Sequence, residues 1–575
     1  MTEYFQDKRW AITGSLKDIS RREATAQLKE RGAAVTGSVS SKTDFLVSVD
    51  YDPDQARYLS SKEKRARQLG IPIFNEAQLL AVLRGEDPIA VDALGTAPTP
   101  LEEVSTRDAL EGFRELVYGE MTDERWEEVC GLLDRCDEAA LPLVVDYLQQ
   151  NLPAPPEAIA LDTRGHYYHL SVWDRFADPC QLPKSWIYEI LRGEQSAKFS
   201  VVRAANFAGQ KLNGKSGRKI LECQSLTELR ALKLDNNPTP ARLWHELAAS
   251  TNMRHLQYLH MGRNKISPAT ADKLTAATFA ANLRHLRLEE VTFQKDAARR
   301  LLTSPLAKGL VSLNLSKTSS QTEDLFTVLA DSPCIDTLTD LHLHNVPHPL
   351  DGLATLLRSR RLGQVRAMLI GTPEPCPALV DALAEAPFEG IEDLKLTRLR
   401  PYDRIDPIVP GVGRALAAPQ MASLRTLSVD TDEEGLRGVI GATHITQLEQ
   451  LHIQTNGAST ETWDGMLGAP QFQQVRLLRI NGPVPQGFLG RLLASDRMPL
   501  LERLYHNNFA KGMNDDDLRG ILNATHRTNL KEMRANLDRD NTSTTLLQSV
   551  VDAPHVPYHV QLDARWQIEQ RARQS

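Results

Sequence analysis

The 575-residue chain lacks the features that mark membrane and secreted proteins. No apolar run approaches the roughly 20 residues needed to span a bilayer, and the opening MTEYFQDKRW has no apolar signal segment. We therefore expect a cytoplasmic protein without a membrane partner. Aromatic residues make up only 6% of the chain, but a hydrophobic share of 41% and a charged share of 25% are ordinary, which excludes a wholly disordered chain.

The sequence also lacks a positive charge excess and the spacings of metal sites. A formal net charge of -7 excludes a generally basic nucleic-acid coat and leaves room for a local basic site. The six cysteines form no CxxC pair, and no HExxH motif is present. We therefore expect free thiols in a reducing compartment, with no metal and no cofactor.

The chain is too long for one compact core, and its texture changes along its length. We predict an overall α/β fold class with five segments. They are a small α/β domain at 1–88, a linker at 89–100 that contains Gly95 and several Pro, Ala and Thr residues, a helical connector at 101–198, a repeat array at 199–552, and a C-terminal cap or tail at 553–575.

The first segment alternates short apolar runs with helical patterns. Strands are predicted at 10–12, 33–35, 45–47 and 71–74, and helices at 20–31, 61–69 and 75–83. The resulting order, βαββαβα, predicts a small α/β domain with a partly parallel sheet.

The long fourth segment repeats an L-x-x-L-x-L pattern about every 27 residues, a period within the leucine-rich-repeat range. Leu229, Leu232 and Leu234 form one good copy, and helical stretches separate the copies. Because one strand and one helix have no second layer, neighbouring units must stack to bury their leucines. The pattern is similar to the ribonuclease-inhibitor type of leucine-rich repeat and predicts a horseshoe of about thirteen units, strands inside and helices outside.

Side chains between the two inner leucines of each strand are expected on the concave face, because strand residues alternate. This column is rich in cationic residues, but acids in the adjacent columns balance their charge. A mixed, nearly neutral groove favours a protein partner over a phosphate backbone. Simple cross-strand ladders without a ligand are the alternative. The candidate protein-binding residues are Lys233, His260, Arg287, His342, Lys395, His452, Arg479, Tyr505 and Arg534.

One enzyme-like string occurs inside the array. Gly209 to Ser216 matches GxxxxGK[ST], the loop that cradles nucleotide phosphates. Its position coincides with the strand and turn of the first repeat, so we interpret its glycines as turn residues. A nucleotide hydrolase stays as the minor alternative, and we expect no catalytic residue.

The first segment carries a more specific pattern. The segment contains, in this order, Trp10 to Leu16, Arg21 to Ala24, Gly32 to Val35, Gly37 to Val47 and Leu69 to Ile73. This set of stretches resembles a BRCT domain. The likeness is greatest to the domain that ends bacterial NAD-dependent DNA ligases. The last helix departs from the family pattern, since Leu79 stands near the place of a large aromatic residue, and we expect a repacked core.

The resemblance implies a phosphate site. In phosphopeptide-binding members a hydroxyl and the following Gly amide at the end of the first strand, with a Lys of the second helix, hold the phosphate. The matching residues are Thr13, Gly14 and Lys62, with Lys64, Arg65 and Arg67 as auxiliary basic residues. All three groups donate to an anion. Alternatively, Thr13 and Gly14 only shape a tight turn.

Together these patterns predict a non-enzymatic scaffold or adaptor in bacterial DNA repair or damage signalling. Its BRCT-like domain is expected to recognise a phosphorylated protein, and its repeats a second protein. Direct binding of a DNA nick or 5′-phosphate is the main alternative. Only one such domain is evident, so we expect weak affinity at that site unless the repeats add effective concentration.

Overall fold

The computed structural model describes residues 4–14, 16, 19–40, 42–48, 61–69, 71–84, 106–118, 121–153, 180–210, 212, 214–237, 241–347, 349–371, 377–396, 411–507, 512–538 and 541–574. The chain divides into two compact units, one of residues 1–207 with 213–232 and one of residues 208–212 with 233–575. The predicted linker at 89–100 lies outside the described residues.

The amino-terminal part of the first unit has the predicted element order. Its elements are β1 (Arg9–Thr13), α1 (Arg21–Glu30), β2 (Ala34–Thr36), β3 (Phe45–Ser48), α2 (Ser61–Gln68), β4 (Ile73–Phe74) and α3 (Glu76–Arg84). The strands lie in the order β2-β1-β3-β4, and every pairing is parallel. The βαββαβα prediction is therefore confirmed, and the carboxyl end of β1 lies at the middle of the sheet edge.

The core of this small domain is built around aromatic side chains from the strands. Trp10, Phe45 and Phe74 have ring centroids 4.7–5.6 Å apart, and the Trp10 indole N–H donates to the Tyr4 carbonyl. Leu79 of α3 is fully buried in the same cluster. Trp10 and Phe74 belong to that cluster, and Phe45 packs against it.

The predicted connector contains helices. They are α4 (Thr106–Val117), α5 (Asp123–Leu133), α6 (Leu141–Asn151) and α7 (Lys184–Arg192). After α7, the buried Lys198 ammonium contacts Asp134 at 3.0 Å and Glu189 at 2.7 Å. Burial alone would lower the pKa of Lys198, but the two carboxylates raise it above its ordinary value. This paired charge fixes the chain as it enters the repeats.

The repeat region alternates strands with helices. The strands are β5 (Ala204–Asn206), β6 (Ala231–Lys233), β7 (Tyr258–His260), β8 (Lys265–Ile266), β9 (His285–Arg287), β10 (Thr292–Phe293), β11 (Ser312–Asn314), β12 (Ser319–Ser320), β13 (Asp340–His344), β14 (Ala367–Gly371), β15 (Asp393–Leu396), β16 (Thr426–Thr431), β17 (Gln450–Thr455), β18 (Leu477–Asn481), β19 (Arg503–Asn507) and β20 (Glu532–Ala535). The helices are α8 (Gly214–Glu222), α9 (Ala241–Ala249), α10 (Pro268–Thr275), α11 (Ala297–Leu302), α12 (Leu325–Asp331), α13 (Leu350–Leu357), α14 (Pro377–Glu385), α15 (Val412–Leu416), α16 (Glu433–Gly441), α17 (Thr460–Gly468), α18 (Phe488–Ala494), α19 (Asp515–Asn523), α20 (Thr544–Asp552) and α21 (Tyr558–Gln574).

In the second unit the strands form a parallel sheet in the order β7-β9-β11-β13, continuing strand by strand to β20. Strands β8, β10 and β12 form a smaller parallel sheet. Leu286, Leu313 and Leu341 occupy matching register positions on neighbouring strands, and all three are buried. The predicted α/β repeat fold is confirmed, because parallel strands alternate with helices and each strand pairs with that of the next repeat.

The turns after the strands repeat as well. A left-handed backbone conformation, with φ between +53° and +60°, recurs at Asn236, Arg263, Glu290, Lys317 and Asn345. These positions follow one another at the repeat period, although not one of them is glycine. Buried Asn237 and Asn264 stabilise two of these turns by donating side-chain N–H groups to backbone carbonyls.

The sequence predicts that the chain has no membrane-spanning segment and that its cysteines are free thiols. No helix in the described ranges is both long and apolar enough to cross a membrane. Five cysteines are described, and all five are free thiols: Cys130, Cys136, Cys180, Cys223 and Cys334.

Candidate anion site and repeat surface

The end of β1 is shaped by a left-handed glycine and an arginine. Gly14 has φ +80°, which turns the chain sharply after Thr13. Ser20 caps α1 by accepting from the Glu23 N–H, and so places Arg21 at the first helical position. The Arg21 guanidinium donates to the Ile12 carbonyl at 2.8 Å and to the Gly14 carbonyl at 3.3 Å.

Lys62 reaches the same carbonyl from the other side. Its ammonium donates to the Ile12 oxygen at 3.0 Å. Next to it in α2, the buried Glu63 carboxylate accepts from the Ser48 hydroxyl at 2.5 Å, which ties the first turn of α2 to the end of β3. Burial, and then the nearby charge of Arg21, hold the pKa of Lys62 below its ordinary value. Two cations therefore meet at one backbone oxygen.

The third donor at this site, after the Arg21 guanidinium and the Lys62 ammonium, is the Thr13 hydroxyl. Thr13 is partly exposed, and its hydroxyl makes no hydrogen bond with any described residue. Neither Arg21 nor Lys62 forms an ion pair within the part of the chain that the structure describes. A lone carbonyl oxygen only partly compensates two adjacent positive charges, so an anion beside Thr13 would be stabilised by both.

The structure thus brings Thr13, Gly14 and Lys62 to one place and adds Arg21, to which sequence reasoning gave no role. The sequence signal that could have identified Arg21 is the pair of arginines, Arg21 and Arg22, directly after the helix N-cap Ser20. Among the auxiliary residues, Arg65 is exposed on α2. The side chains of Lys64 and Arg67 lie outside the described atoms.

The phosphate-loop match has a different setting. The Gly209 N–H donates to the Asp235 carbonyl at 3.1 Å, and the Leu212 N–H donates to the Asn237 side chain at 3.0 Å. A phosphate-binding loop needs its backbone N–H groups for the ligand. Here two of them hold the following repeat, which is the turn role that the repeat register predicts.

The predicted concave column is in register from His260 to Arg534. Neighbouring strands pair in the sequence His260, Arg287, Asn314, His342, Leu369, Lys395, Ser428, His452, Arg479, Tyr505 and Arg534. The accessibility of its members differs along the sheet. Lys233, His260, Arg287 and His452 are buried, whereas Arg534 is exposed.

Ionic contacts explain the burial at the amino-terminal end of the column. The Glu289 carboxylate contacts His260 Nε2 at 2.8 Å and Arg287 at 2.5 Å, and it accepts from the Asn314 amide at 2.7 Å. His260 Nδ1 lies 3.4 Å from Asp235, the partner of Lys233 at 4.0 Å. Burial raises the pKa of Glu289, but Arg287 and His260 outweigh that effect and hold it well below its usual range.

Burial lowers the pKa of five histidines of the sheet, namely His285, His342, His344, His452 and His506, and the effect is large at three of them. Burial, followed by Arg287 and Lys395, lowers the pKa of His342 to about 3. Burial and then Lys317 lower the pKa of His344 to about 4. Burial and then Arg479 lower the pKa of His452 to about 3. His452 is buried and His342 and His344 are half-buried, and none of the three rings titrates near neutral pH.

The carboxyl-terminal end of the column has a partly exposed aromatic centre. The Tyr505 ring lies between two guanidinium groups, with Arg479 at 4.9 Å and Arg534 at 5.9 Å from its centroid. The Tyr505 hydroxyl donates to Glu532 at 2.7 Å, and Glu532 also accepts from Arg534 at 2.7 Å. A rigid tyrosine between arginines is the composition of an interface hot spot.

Comparisons with known proteins agree with the amino-terminal resemblance. Residues 2–83 match the family model described as "BRCA1 C Terminus (BRCT) domain". A DNA ligase of Thermoanaerobacter sp. (strain X514) is 41% identical over 87 residues, which is 15% of this chain and 12% of the ligase. A DNA ligase of Levilactobacillus brevis is 42% identical over 82 residues, 14% of this chain and 11% of the ligase. The chain contains a BRCT domain, and it aligns with only about an eighth of the length of these ligases.

Solved structures similar to this chain include leucine-rich-repeat proteins. An internalin of Listeria monocytogenes is 16% identical, with a TM-score of 0.30, and covers 62% of this chain and 88% of its own. A leucine-rich-repeat protein of Leptospira interrogans is 13% identical, with a TM-score of 0.30, and covers 64% of this chain and 97% of its own.

Proposed function

We propose that the protein is a non-enzymatic adaptor. Its BRCT domain binds a phosphorylated segment of one protein, and the exposed end of its repeat column binds a second protein. The observation that carries the proposal is the meeting of Lys62 and Arg21 at the Ile12 carbonyl, beside the partly exposed Thr13 hydroxyl. BRCT relatives that are named DNA ligase support a setting in bacterial DNA repair.

The phosphate would take the place that these donors leave open. A phosphate monoester carries up to two negative charges and three acceptor oxygens, enough for the hydroxyl, the ammonium and the guanidinium together. Because the Gly14 turn follows Thr13 directly, its N–H is the fourth donor of the proposed site. Recognition is then a set of charge-assisted hydrogen bonds on a rigid strand end, and it needs no metal or cofactor.

The proposal is tested with the full-length protein and fluorescent peptide pools. We expect binding to a degenerate phosphopeptide pool and none to the unphosphorylated pool. Lys62→Ala should weaken phosphopeptide binding about tenfold or more, because a charge-assisted hydrogen bond contributes about 1.5–3 kcal/mol. Lys29→Ala, on the exposed last turn of α1, is the control and should leave binding unchanged. Equal binding of the two pools would contradict the proposal.

Arg21 yields a separate prediction. Arg21→Ala removes a guanidinium that contacts both Ile12 and Gly14, and we expect phosphopeptide affinity to fall about five- to tenfold. Arg22→Ala changes the neighbouring exposed arginine and should alter affinity less than about twofold. Fluorescence anisotropy at constant ionic strength measures both. Equal losses in the two variants would mean that only net charge matters.

Direct binding of a nicked DNA is the second candidate, because the curated relatives of the domain are ligases. A 5′-phosphorylated nicked duplex at about 0.15 M salt separates it from peptide binding, since contacts to the DNA backbone weaken steeply with salt. Preference for this duplex over the phosphopeptide pool, with a steep salt dependence, would favour the DNA function.

The second protein is proposed to bind around Tyr505. Of the predicted column, His342, Lys395, Arg479 and Tyr505 are partly exposed and Arg534 is exposed, whereas the amino-terminal end is engaged in internal ion pairs. The proposed interface is thus narrower than the full column. Binding at both ends of the chain would raise the effective concentration at the single BRCT domain.

A further inference from the structure

Charge is distributed unevenly along the face of the sheet that carries the predicted column. Because strand residues alternate, the members of this face can be read from the register. On strands β13 to β17 the face has three carboxylates and one ammonium, those of Asp340, Asp393, Asp430 and Lys395. On strands β18 to β20 it has three guanidinium groups and one carboxylate, those of Arg479, Arg503, Arg534 and Glu532. These charges cancel over the whole face, but its carboxyl-terminal end is positive.

Arg503 is the cation of this end that forms no ion pair with any residue described by the structure. Its side chain is partly exposed. Glu532 lies opposite Arg503 in the register, but one oxygen of that carboxylate accepts from Arg534 and the other from the Tyr505 hydroxyl, both at 2.7 Å. The Arg503 guanidinium is therefore available to an anion from outside the chain.

A cleft of about 480 Å³ lies beside Arg503. It is lined by Glu502, Arg503, Lys531, Glu532, Tyr558 and His559. Glu502 is shared by two cations, since it contacts Lys531 at 2.8 Å and Arg476 at 2.7 Å. The four cations Arg476, Arg503, Lys531 and Arg534 are thus set against the two carboxylates Glu502 and Glu532. The cleft and its rim therefore have an excess of positive charge.

A buried histidine responds to the same charges. Burial, and then the charges of Arg479, Lys395 and Arg503, lower the pKa of His452. Cations that disfavour a protonated imidazole would stabilise an anion at the same place. At the amino-terminal end of the column the chain supplies such an anion itself, because Glu289 contacts Arg287. At Arg503 the anion has to come from a partner.

We propose that the second protein binds here through an acidic segment, with one carboxylate in the cleft against Arg503 and others beside Arg479 and Arg534. The inference rests on the proposed interface around Tyr505 and adds the chemistry of its partner. In an extended segment, acids at every second residue recur about every 7 Å, and strand spacing and rise place the Arg503 Cα atom about 8 Å from those of Arg479 and Arg534. One such segment can therefore reach all three guanidinium groups.

A nucleic acid fits this surface less well than an acidic protein segment. The guanidinium groups of Arg479 and Arg534 lie over the Tyr505 ring, so a base has no open ring face on which to stack. A phosphate backbone that continues along the sheet would also meet Asp430 and Asp393, which repel it. A short acidic segment ends before it reaches them.

The test uses the full-length protein and fluorescent degenerate peptides in which every second residue is Glu, with matched pools that have Gln or Lys instead. At about 0.15 M salt we expect the Glu pool to bind at least about tenfold more tightly than the Gln pool, and the Lys pool not to bind. Arg503→Ala should weaken binding of the Glu pool at least about fivefold, because a charge-assisted hydrogen bond is lost.

Two control variants locate the binding. Arg497→Ala removes the same charge from an exposed position in the bend after α18 and should leave binding of the Glu pool unchanged. Lys62→Ala should also leave it unchanged, which separates this surface from the anion site of the BRCT domain. Circular dichroism of each variant establishes that the fold is intact.

The outcomes distinguish this inference from the proposed interface. Equal binding of the Glu and Gln pools, with both lost in Tyr505→Ala, would overturn the acidic partner and retain the interface. Binding of the Glu pool that Arg503→Ala does not weaken would also overturn the acidic partner, as would tighter binding of oligothymidylate, which would favour a nucleic acid. Failure of every pool to bind would contradict both the acidic partner and the interface.

Discussion

Replacing Glu289 with alanine should lower the free energy of unfolding by about 3–5 kcal/mol, the usual effect of removing one partner from a buried ionic cluster. The carboxylate contacts His260, Arg287 and Asn314, and all four side chains are buried. Alanine leaves the Arg287 charge without its anion in a site that water does not reach. The cost is this uncompensated charge more than the lost attraction.

The adjacent Glu290 provides a matched control. It is one-third exposed and pairs with Arg263 at 3.0 Å and Lys317 at 3.2 Å on the surface. Glu290→Ala should therefore cost less than about 1 kcal/mol. Because repeat arrays can unfold locally, denaturant titration is combined with hydrogen exchange at the amides of Leu286 and Leu313. Equal effects of the two variants would mean that the cluster contributes no more than a surface pair.

The ionic cluster around Glu289 could be predicted from the sequence only in part. The leucine period identifies the column from His260 to Arg534, because a side-chain alternation of two fixes which residues share a face. The balance of acids and bases is visible in the sequence as well. The sequence does not show which acid pairs with which base, because the contacts of Glu289 join residues from three strands. The same pairing removes Arg287 from the accessible surface on which it was predicted.

The anion site was also predicted from the sequence only in part. The family pattern aligns Thr13, Gly14 and Lys62 because it fixes their places at the end of β1 and in α2. Arg21 joins them through the backbone carbonyls of Ile12 and Gly14. Every residue has such a carbonyl, so a residue pattern does not reveal it as an acceptor. The turn that aims these oxygens at Arg21 is known only from the fold.

Lowering the pH from 7.5 to 5 should destabilise the second unit by up to about 2 kcal/mol for each of His342, His344 and His452. Their folded pKa values of about 3 to about 4 lie below the ordinary value of about 6.5 in an unfolded chain. Between these values the unfolded state binds protons that the folded state does not. Stability is therefore lost as the pH falls below about 6.5, and the loss ends near the folded pKa.

The carboxylate of Glu289 does not produce this effect. Its folded pKa is depressed, so its contribution is fully present above the unfolded value of about 4.3 and stays constant between pH 5 and 7.5. The histidines thus dominate the change over that window. His285 and His506, whose pKa values burial also lowers, add smaller contributions of the same sign. Combining His342→Gln with His452→Gln should therefore reduce the stability difference between the two pH values by about 40% or more, by the same linkage. His526→Gln, at an exposed position, should preserve it. An unchanged pH dependence in the double variant, measured by urea titration, would show that the two rings accept protons without unfolding.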